Sequence, residues 1–434
     1  MIRHVQRTVL VLVLMAAPAA FAQDKMTLRE SADLLLKNNG QVQIAQESAA
    51  GAELKINETK SLYWPQVSVT GNYTRMSLFG EFQIPYQGQM MTIKFGTPNN
   101  YNMRASIMEQ VFTWGRVART VEMSKAGLDL AQDGVLMAKH MLSYQVVPLY
   151  YGTVFFKEAI KVLDDNLRTF EKKRDTMNQR FQAGLASSFD RDLIQVQVSG
   201  LQAQKLDFEN SIHKFRITFN ALAGREEQAP FEPAAGLGFE PADYDQTALI
   251  REALANRLEF QQVQHQLALG QASLGLARTG NKPTVTAVFN YEFRNGFMPE
   301  IDKIKGNWTA LLSISYPAFD GFRVASQVAQ AESNLRAVEM RKTDQERTVT
   351  MEIQSALADL KTIEQKLEIE KVKIRQTEDA LRIADERHQN GLLSATDLID
   401  AQNALGSARL NFLQLIYNHT LSQYNLFRSC GRKI

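Results

Sequence analysis

Cysteine is almost missing from this chain: Cys430 is the only one in 434 residues. That excludes a disulfide framework and any cysteine-built metal site, so stability must come from packing or assembly. Proline is scarce as well, with 11 residues in all, which leaves room for helices far longer than those of ordinary globular domains. The six histidines, His4, His140, His213, His265, His388 and His419, show no His-x3-His spacing. No glycine-rich phosphate loop and no Gly-x-Ser-x-Gly elbow is present. Enzyme chemistry, metals and other cofactors find no foothold, and the chain reads as a non-enzyme. An excess of one charge is lacking too: 49 Lys and Arg against 47 Asp and Glu give a formal net charge of +2. No nucleic-acid partner is indicated. After residue 22 no apolar run approaches the roughly 20 residues that a spanning helix needs.

Residues 1–22 are a different matter. Arg3 and Arg7 precede an apolar stretch from Val9 to Met15, and Ala20-Phe21-Ala22 follows in the small-x-small pattern of a cleavage site. The segment reads as a secretory signal peptide, cleaved before Gln23. A membrane anchor is disfavoured because the apolar run is too short. Cleavage removes two arginines and no acids, so the formal charge goes from +2 to 2 − 2 = 0. No cysteine adjoins the cleavage site, which argues against a lipid-anchored N-terminus. An exported protein without a spanning helix is periplasmic, secreted or an outer-membrane barrel.

What the mature chain has instead is a repeat. Adding 207 to a position in the first half reaches its counterpart: Phe112 and Phe319, Arg116-Val117-Ala118 and Arg323-Val324-Ala325, Gly184 and Gly391, Asp190 and Asp397, Gly224 and Gly431. A constant offset over so long a stretch means no insertion in either copy, as expected of rigid paired helices rather than loops. The repeats span 23–224 and 246–434, and residues 225–245, with three prolines, read as an irregular linker.

Each repeat opens with short helices, about 28–61 and 246–279, and then a proline introduces alternating residues. Val67, Val69, Gly71 and Tyr73 interleave with Ser68, Thr70, Asn72 and Thr74; Val285, Ala287, Phe289 and Tyr291 follow Pro283 in the same manner. Tyr101 to Ile107 and Trp308 to Tyr316 supply the partners. This predicts two β-hairpins, about 66–112 and 283–319, four strands in all. Here the offset becomes 218, and the 11-residue difference falls in the hairpin loops, about 75–100 and 295–306.

Long helical hairpins follow at about 115–224 and 320–431. Their first arms, from Arg116 and from Arg323, run some 65 residues, on the order of 100 Å as continuous helix. In the return arms Ile194, Leu201, Phe208, Phe215 and Leu222 recur every seven residues, as do Leu398, Leu405, Phe412 and Leu426 with His419 at the intervening step. Seven-residue spacing predicts coiled-coil pairing. The fold expected is mainly α with a small β part. Four strands cannot close a barrel in lipid, so they must close by assembly, two chains giving eight strands and three giving twelve. A soluble sheet with one solvated face is the alternative; Tyr73, Tyr101, Tyr291, Trp308 and Tyr316, placed as an aromatic girdle would be, favour the membrane.

Signal peptide, duplication and hairpins combine with the strand-to-helix sequences Gln110-Val111-Phe112-Thr113-Trp114-Gly115-Arg116 and Tyr316-Pro317-Ala318-Phe319-Asp320-Gly321-Phe322-Arg323. With the turn sequence Gly391-Leu392-Leu393-Ser394-Ala395-Thr396-Asp397-Leu398-Ile399-Asp400-Ala401-Gln402, they make the chain resemble the TolC family of outer-membrane efflux proteins over essentially its whole mature length. The resemblance implies a homotrimer with a twelve-stranded barrel among outer-membrane lipid and a helical tunnel through the periplasm of a Gram-negative envelope. It also implies partners, a periplasmic adaptor and an inner-membrane pump, proton-driven or ATP-driven. Passive exit of small toxic molecules is the leading expectation. An exit duct for type I secretion of polypeptides and a non-pore periplasmic scaffold are the alternatives.

The family pattern places Asp397 and Asp400 around the periplasmic entrance, with Asp190 and His388 as further gate candidates. Ser187 with Asp190 and Ser394 with Asp397 also form Ser-x-x-Asp capping patterns, and capping is the favoured role of those two aspartates. Asp400, matched by Leu193 in the other copy, is the favoured gate residue. His388 and Leu393 stand where the family carries a tyrosine and an arginine, so a gate with fewer polar links is expected, with Asp190 as a partner for His388. Gly184, Leu185, Arg387, Gly391 and Leu392 are expected to meet the adaptor; a glycine ending a helix and an arginine on its C-terminus are the plainer readings.

Overall fold

The computed structural model describes residues 25–77, 80–94 and 96–434. The expected signal peptide, residues 1–22, lies outside the described residues. Each half of the chain begins with a broken pair of helices. In the first, α1 (Leu28–Asn38) starts on a reciprocal capping box. The Thr27 hydroxyl accepts from the Glu30 N–H at 3.2 Å, and the Glu30 carboxylate accepts from the Thr27 N–H at 2.8 Å. Amides that a helix start leaves bare are thereby satisfied. Asn39 closes α1 through its own N–H and caps α2 (Gly40–Lys60) with its side-chain oxygen, 2.9 Å from the Gln41 N–H. The second half breaks at Arg257, between α5 (Gln246–Asn256) and α6 (Leu258–Ala277).

The strands are β1 (Gln66–Arg75), β2 (Glu81–Tyr86), β3 (Gln89–Lys94), β4 (Asn99–Phe112), β5 (Thr284–Arg294) and β6 (Lys305–Ser315). One antiparallel sheet holds four of them in the order β1-β4-β5-β6. The two expected hairpins therefore join through β4 and β5, leaving β1 and β6 at the outer edges. The four expected strands make up this sheet; β2 and β3, which were not expected, add a separate two-stranded ribbon inside the first hairpin's loop. It turns at Gln87-Gly88, whose φ values are 50° and 81°, the paired left-handed geometry that a two-residue hairpin requires. Pro85, a poor residue inside a strand pair, obscured the alternation in the sequence.

Two helices of 67 residues, α3 (Arg116–Gln182) and α7 (Arg323–Gln389), dominate the molecule and begin 207 positions apart; each is about 100 Å long. Pro148 sits within α3 without ending it. The proline forfeits one intrahelical hydrogen bond, but buried Val146, Val147, Leu149 and Tyr150 around it hold the helix in place. α4 (Ser188–Leu222) and α8 (Ala395–Ser429) fold back along α3 and α7. The seven-residue seam faces inward: Ile194, Leu398, Leu405 and Leu426 are buried, and Phe208 and Phe215 meet Phe156 at ring separations of 5.2 and 5.8 Å. His419 occupies its step buried, with Nε2 3.4 Å from Glu364.

Toward the sheet, α2 lies on α3, and α6 lies between α3 and α7. Apolar clusters form around Tyr150 and Phe219, around Val349 and Leu426, and near the far ends of the hairpins around Phe170 and Ile194. Residues 225–245 are irregular but firmly held. Phe231 stacks on Phe219 with centroids 3.9 Å apart. The Tyr150 hydroxyl accepts from the Ala234 and Ala235 N–H groups and donates to the Met26 carbonyl, each at 3.0 Å. Phe239 meets the His419 ring at 4.9 Å, so this segment straps both hairpins at mid-length. Among the described residues no helix is long and apolar enough to cross a membrane.

Candidate functional site: an open sheet and two helical tips

The strand register sorts the sheet into two faces. Val67, Ile107, Phe289 and Ala310 lie in one row, and Val69, Ala105, Tyr291 and Trp308 in the next. Between them run polar rows, Ser68 with Ser106, Asn290 and Thr309, then Thr70 with Arg104, Glu292 and Asn307. The apolar face bears ionisable Asp, Glu, Lys or Arg only at Arg75 and Glu109, toward the strand ends. Its side chains are uncovered in the single chain, with Leu312 67% and Ile314 70% exposed. An apolar surface of that extent marks contact with lipid or another chain.

Aromatic residues flank this face. Tyr73 and Tyr101 pair at 5.2 Å near the loop end, while Trp64, Trp114, Phe319 and Phe322 are exposed at the end that feeds the helices. Tyr316, expected in the girdle, belongs to the helix-proximal group, just beyond β6. From Trp64 to Tyr73 is nine residues, about 30 Å along a strand and about 23 Å along the membrane normal at a tilt near 40°, close to the apolar band of membrane barrels.

The change from strand to helix uses two successive left-handed residues in each copy. They are Trp114 and Gly115 (φ 52° and 80°) in the first and Gly321 and Phe322 (φ 64° for both) in the second. Glycine takes the second place in one copy and the first in the other. An aromatic residue in this conformation costs about 1–2 kcal/mol, which the turn's fixed place between sheet and helix must impose.

At the opposite ends, the two hairpin tips are near copies of each other. Gly184 and Gly391 both have φ of 73°, a conformation that favours glycine after a helix. The Leu185 N–H reaches the Arg180 carbonyl at 2.8 Å, and the Leu392 N–H reaches that of Arg387 at 2.9 Å. Ser187 accepts from the Asp190 N–H at 3.1 Å and donates to its carboxylate at 2.7 Å; Ser394 does the same for Asp397 at 3.1 and 2.6 Å. The two serines thus cap the helices where the Ser-x-x-Asp pattern lies, and each aspartate carboxylate holds its serine's hydroxyl in place. Asp400 lies a turn beyond and is exposed, with no hydrogen bond or ion pair among the described residues.

His388 is not joined to Asp190 within one chain. Its Nδ1 lies 3.0 Å from the Leu393 carbonyl, inside its own hairpin. Arg387 is exposed, and Leu185 and Leu392 are 78% and 76% exposed at the tip ends. Above the tips the two hairpins are bridged by neutral amides. Gln402 donates to Asn166 at 3.1 Å, and Asn403 to Gln197 at 3.2 Å. Gln402, the last residue of the tip motif, is therefore a cross-hairpin link, with Gly406 leaving room for the Asn166 side chain. Neither bridge was foreseen, since nothing local in sequence marks which amides face one another across 206 or 236 positions.

A cleft of about 240 Å³ separates the hairpins here, lined by Lys173, Arg180, Asp385, His388, Leu398 and Ile399 among others. Burial pushes the Lys173 amine below its usual range, against the opposing pull of the Asp385 carboxylate.

The comparisons with known proteins cover both halves of the chain. The family model described as "Outer membrane efflux protein" matches residues 32–225 and 249–432. The probable efflux pump outer membrane protein TtgC of Pseudomonas putida is 20% identical over 403 residues, 91% of this chain and 81% of that protein. Outer membrane protein TolC of Escherichia coli is 22% identical over 397 residues, 87% of this chain and 76% of that one. Among solved structures, the Campylobacter jejuni CmeC outer membrane channel superposes with a TM-score of 0.77 at 17% identity, covering 94% of this chain and 86% of that one. With the family's sequence pattern present in both repeats and its fold shared over nearly the full length, the chain belongs to the outer membrane efflux protein family.

Proposed function

We propose that three copies of this chain form an outer-membrane channel continued by a periplasmic helical tunnel, a passive exit for substrates of a tripartite efflux system. One observation carries the reading: the four-stranded sheet is apolar on one face, polar on the other, and unpaired at β1 and β6. An open edge in hydrocarbon leaves each backbone group unsatisfied at a cost of several kcal/mol. Pairing β1 of one copy with β6 of the next removes the edges, and three copies give twelve strands. The apolar rows then face lipid, and the polar rows line the lumen. The names of two Pseudomonas putida relatives, an antibiotic efflux pump outer membrane protein and a toluene efflux pump outer membrane protein, favour small-molecule efflux as the cargo class. The duct performs no covalent step; energy comes from an inner-membrane pump.

In this reading the hairpin tips converge at the periplasmic entrance. Asp400, threefold repeated, forms a carboxylate ring there, with Asp190, Asp397 and His388 holding the tips in shape. Gly184, Leu185, Arg387, Gly391 and Leu392 offer apolar and cationic contacts to a periplasmic adaptor. Membrane fractionation followed by mass measurement of the detergent-extracted protein tests the assembly. A trimer from the outer-membrane fraction is expected; a monomer in the soluble periplasmic fraction would sink the proposal.

A further inference from the structure

The polar face of the sheet carries an uneven set of charges. Arg104 and Glu292 face each other across β4 and β5, with guanidinium nitrogens 2.9 and 3.3 Å from one carboxylate oxygen. Arg294, two residues along β5, places its Nε 3.2 Å from the other oxygen of the same carboxylate. Glu292 is 10% exposed at its side chain, whereas Arg104 and Arg294 remain 44% and 47% exposed. Two guanidiniums thus share one largely covered carboxylate. Register sets Arg104 beside neutral Thr70, and Arg294 between neutral Asn102 and the cation Lys305. Lys305 is matched by Glu300 at 3.1 Å, and together with Asp302 and Lys303 the charges at the turn of the second hairpin sum to zero, −2 + 2. On the polar face Arg104 and Arg294 against Glu292 leave one positive charge per chain, 2 − 1.

A cross-strand ion pair needs one arginine, so strand pairing alone does not account for the second. We propose that Arg104 and Arg294, threefold repeated, form a cationic ring near the outer mouth that favours small anions over cations during permeation. The inference rests on the trimeric-channel reading. Magnitudes support it: twelve strands about 4.8 Å apart and tilted about 40° give a backbone radius of about 12 Å. The Debye length is about 10 Å at 0.1 M salt and about 3 Å at 1 M. Long side chains projecting inward from the wall bring their charge within a Debye length of the axis at low salt and not at high salt. Flanked by low-dielectric wall, such a ring focuses the field on whatever passes. The duct is then bipolar, with carboxylates at the periplasmic entrance and guanidiniums at the exit.

The test is the reversal potential of purified trimers in planar bilayers under a KCl gradient between about 0.01 and 0.1 M, where screening is weak. Asp400→Asn serves as the background, so that the entrance does not mask the exit. Anion preference is expected there, reduced several-fold by Arg104→Gln with Arg294→Gln and retained by Arg104→Lys with Arg294→Lys. Raising both sides toward about 1 M should abolish the preference. An unchanged permeability ratio in the glutamine variant overturns the inference. Should that variant fail to assemble, a ratio in the background protein that does not respond to salt overturns it equally. Absence of any channel from well-formed wild-type trimers would instead strike the parent reading.

Discussion

His140 shows how one side chain couples the waist of the molecule to pH. It sits on α3 with its ring 5.2 Å from Tyr144. Burial lowers its pKa below the ordinary 6.5; Glu259 pulls the other way, while Arg428 and Arg257 reinforce the shift. The folded chain therefore takes up a proton less readily than the unfolded one. Stability from this group is fully present above pH about 6.5 and is lost as pH falls through the lowered folded value. The thermal midpoint should drop between pH about 7.5 and 5.5, and His140→Gln should flatten that slope; equal slopes in both proteins would contradict this. Next to it, Arg257 reaches Glu259 at 2.7 Å and Glu352 at 2.5 Å with little exposure of its own. Arg257→Met leaves two carboxylates without their cation and should cost about 2–4 kcal/mol, read as a fall in the denaturant midpoint. Asp400, proposed for the entrance, makes no side-chain hydrogen bond or ion pair among the described residues. Asp400→Asn should leave the thermal midpoint within about 0.5 kcal/mol of wild type while shifting channel selectivity away from cations. A selectivity that does not move would remove Asp400 from the gate.

The helical tips carry the element-scale test. At φ of 73°, Gly184 and Gly391 lie where a side chain is strained, so alanine at either should cost about 1 kcal/mol. The exposed leucines beside them should respond differently. Leu185→Ser with Leu392→Ser should leave the midpoint unchanged yet weaken adaptor capture in a pull-down, and unimpaired capture would remove these residues from the docking surface. The long elements were the most legible part of the sequence. Paired helices tolerate no insertion, which kept Arg116 and Arg323 in step and made the 35-residue return arms visible as a seven-residue seam. The Ser-x-x-Asp caps were legible for the same reason, being local. The β2–β3 ribbon escaped because Gln87-Gly88 is a weak turn signal and Pro85 interrupts the pattern. The amide bridges and the shared Glu292 carboxylate escaped because they depend on pairings between distant segments.

At the scale of the whole molecule, the two repeats divide labour unequally on a common frame. Only the first carries the extra ribbon, and only the second places an acid at the position of Asp400; the frame itself, strapped at the waist by residues 225–245, is common to both. That frame has a consequence for length. Four helical arms share each tunnel wall, and every residue added to one arm raises its end by about 1.5 Å and turns the seam by about 100°. One arm therefore cannot lengthen alone without lifting its tip out of level and rotating Ile194 or Leu398 from their neighbours. Only additions of about seven residues, made in all four arms together, restore both level and facing, each step adding about 10 Å. The reach of the tube is thus set in increments, like the rungs of a ladder.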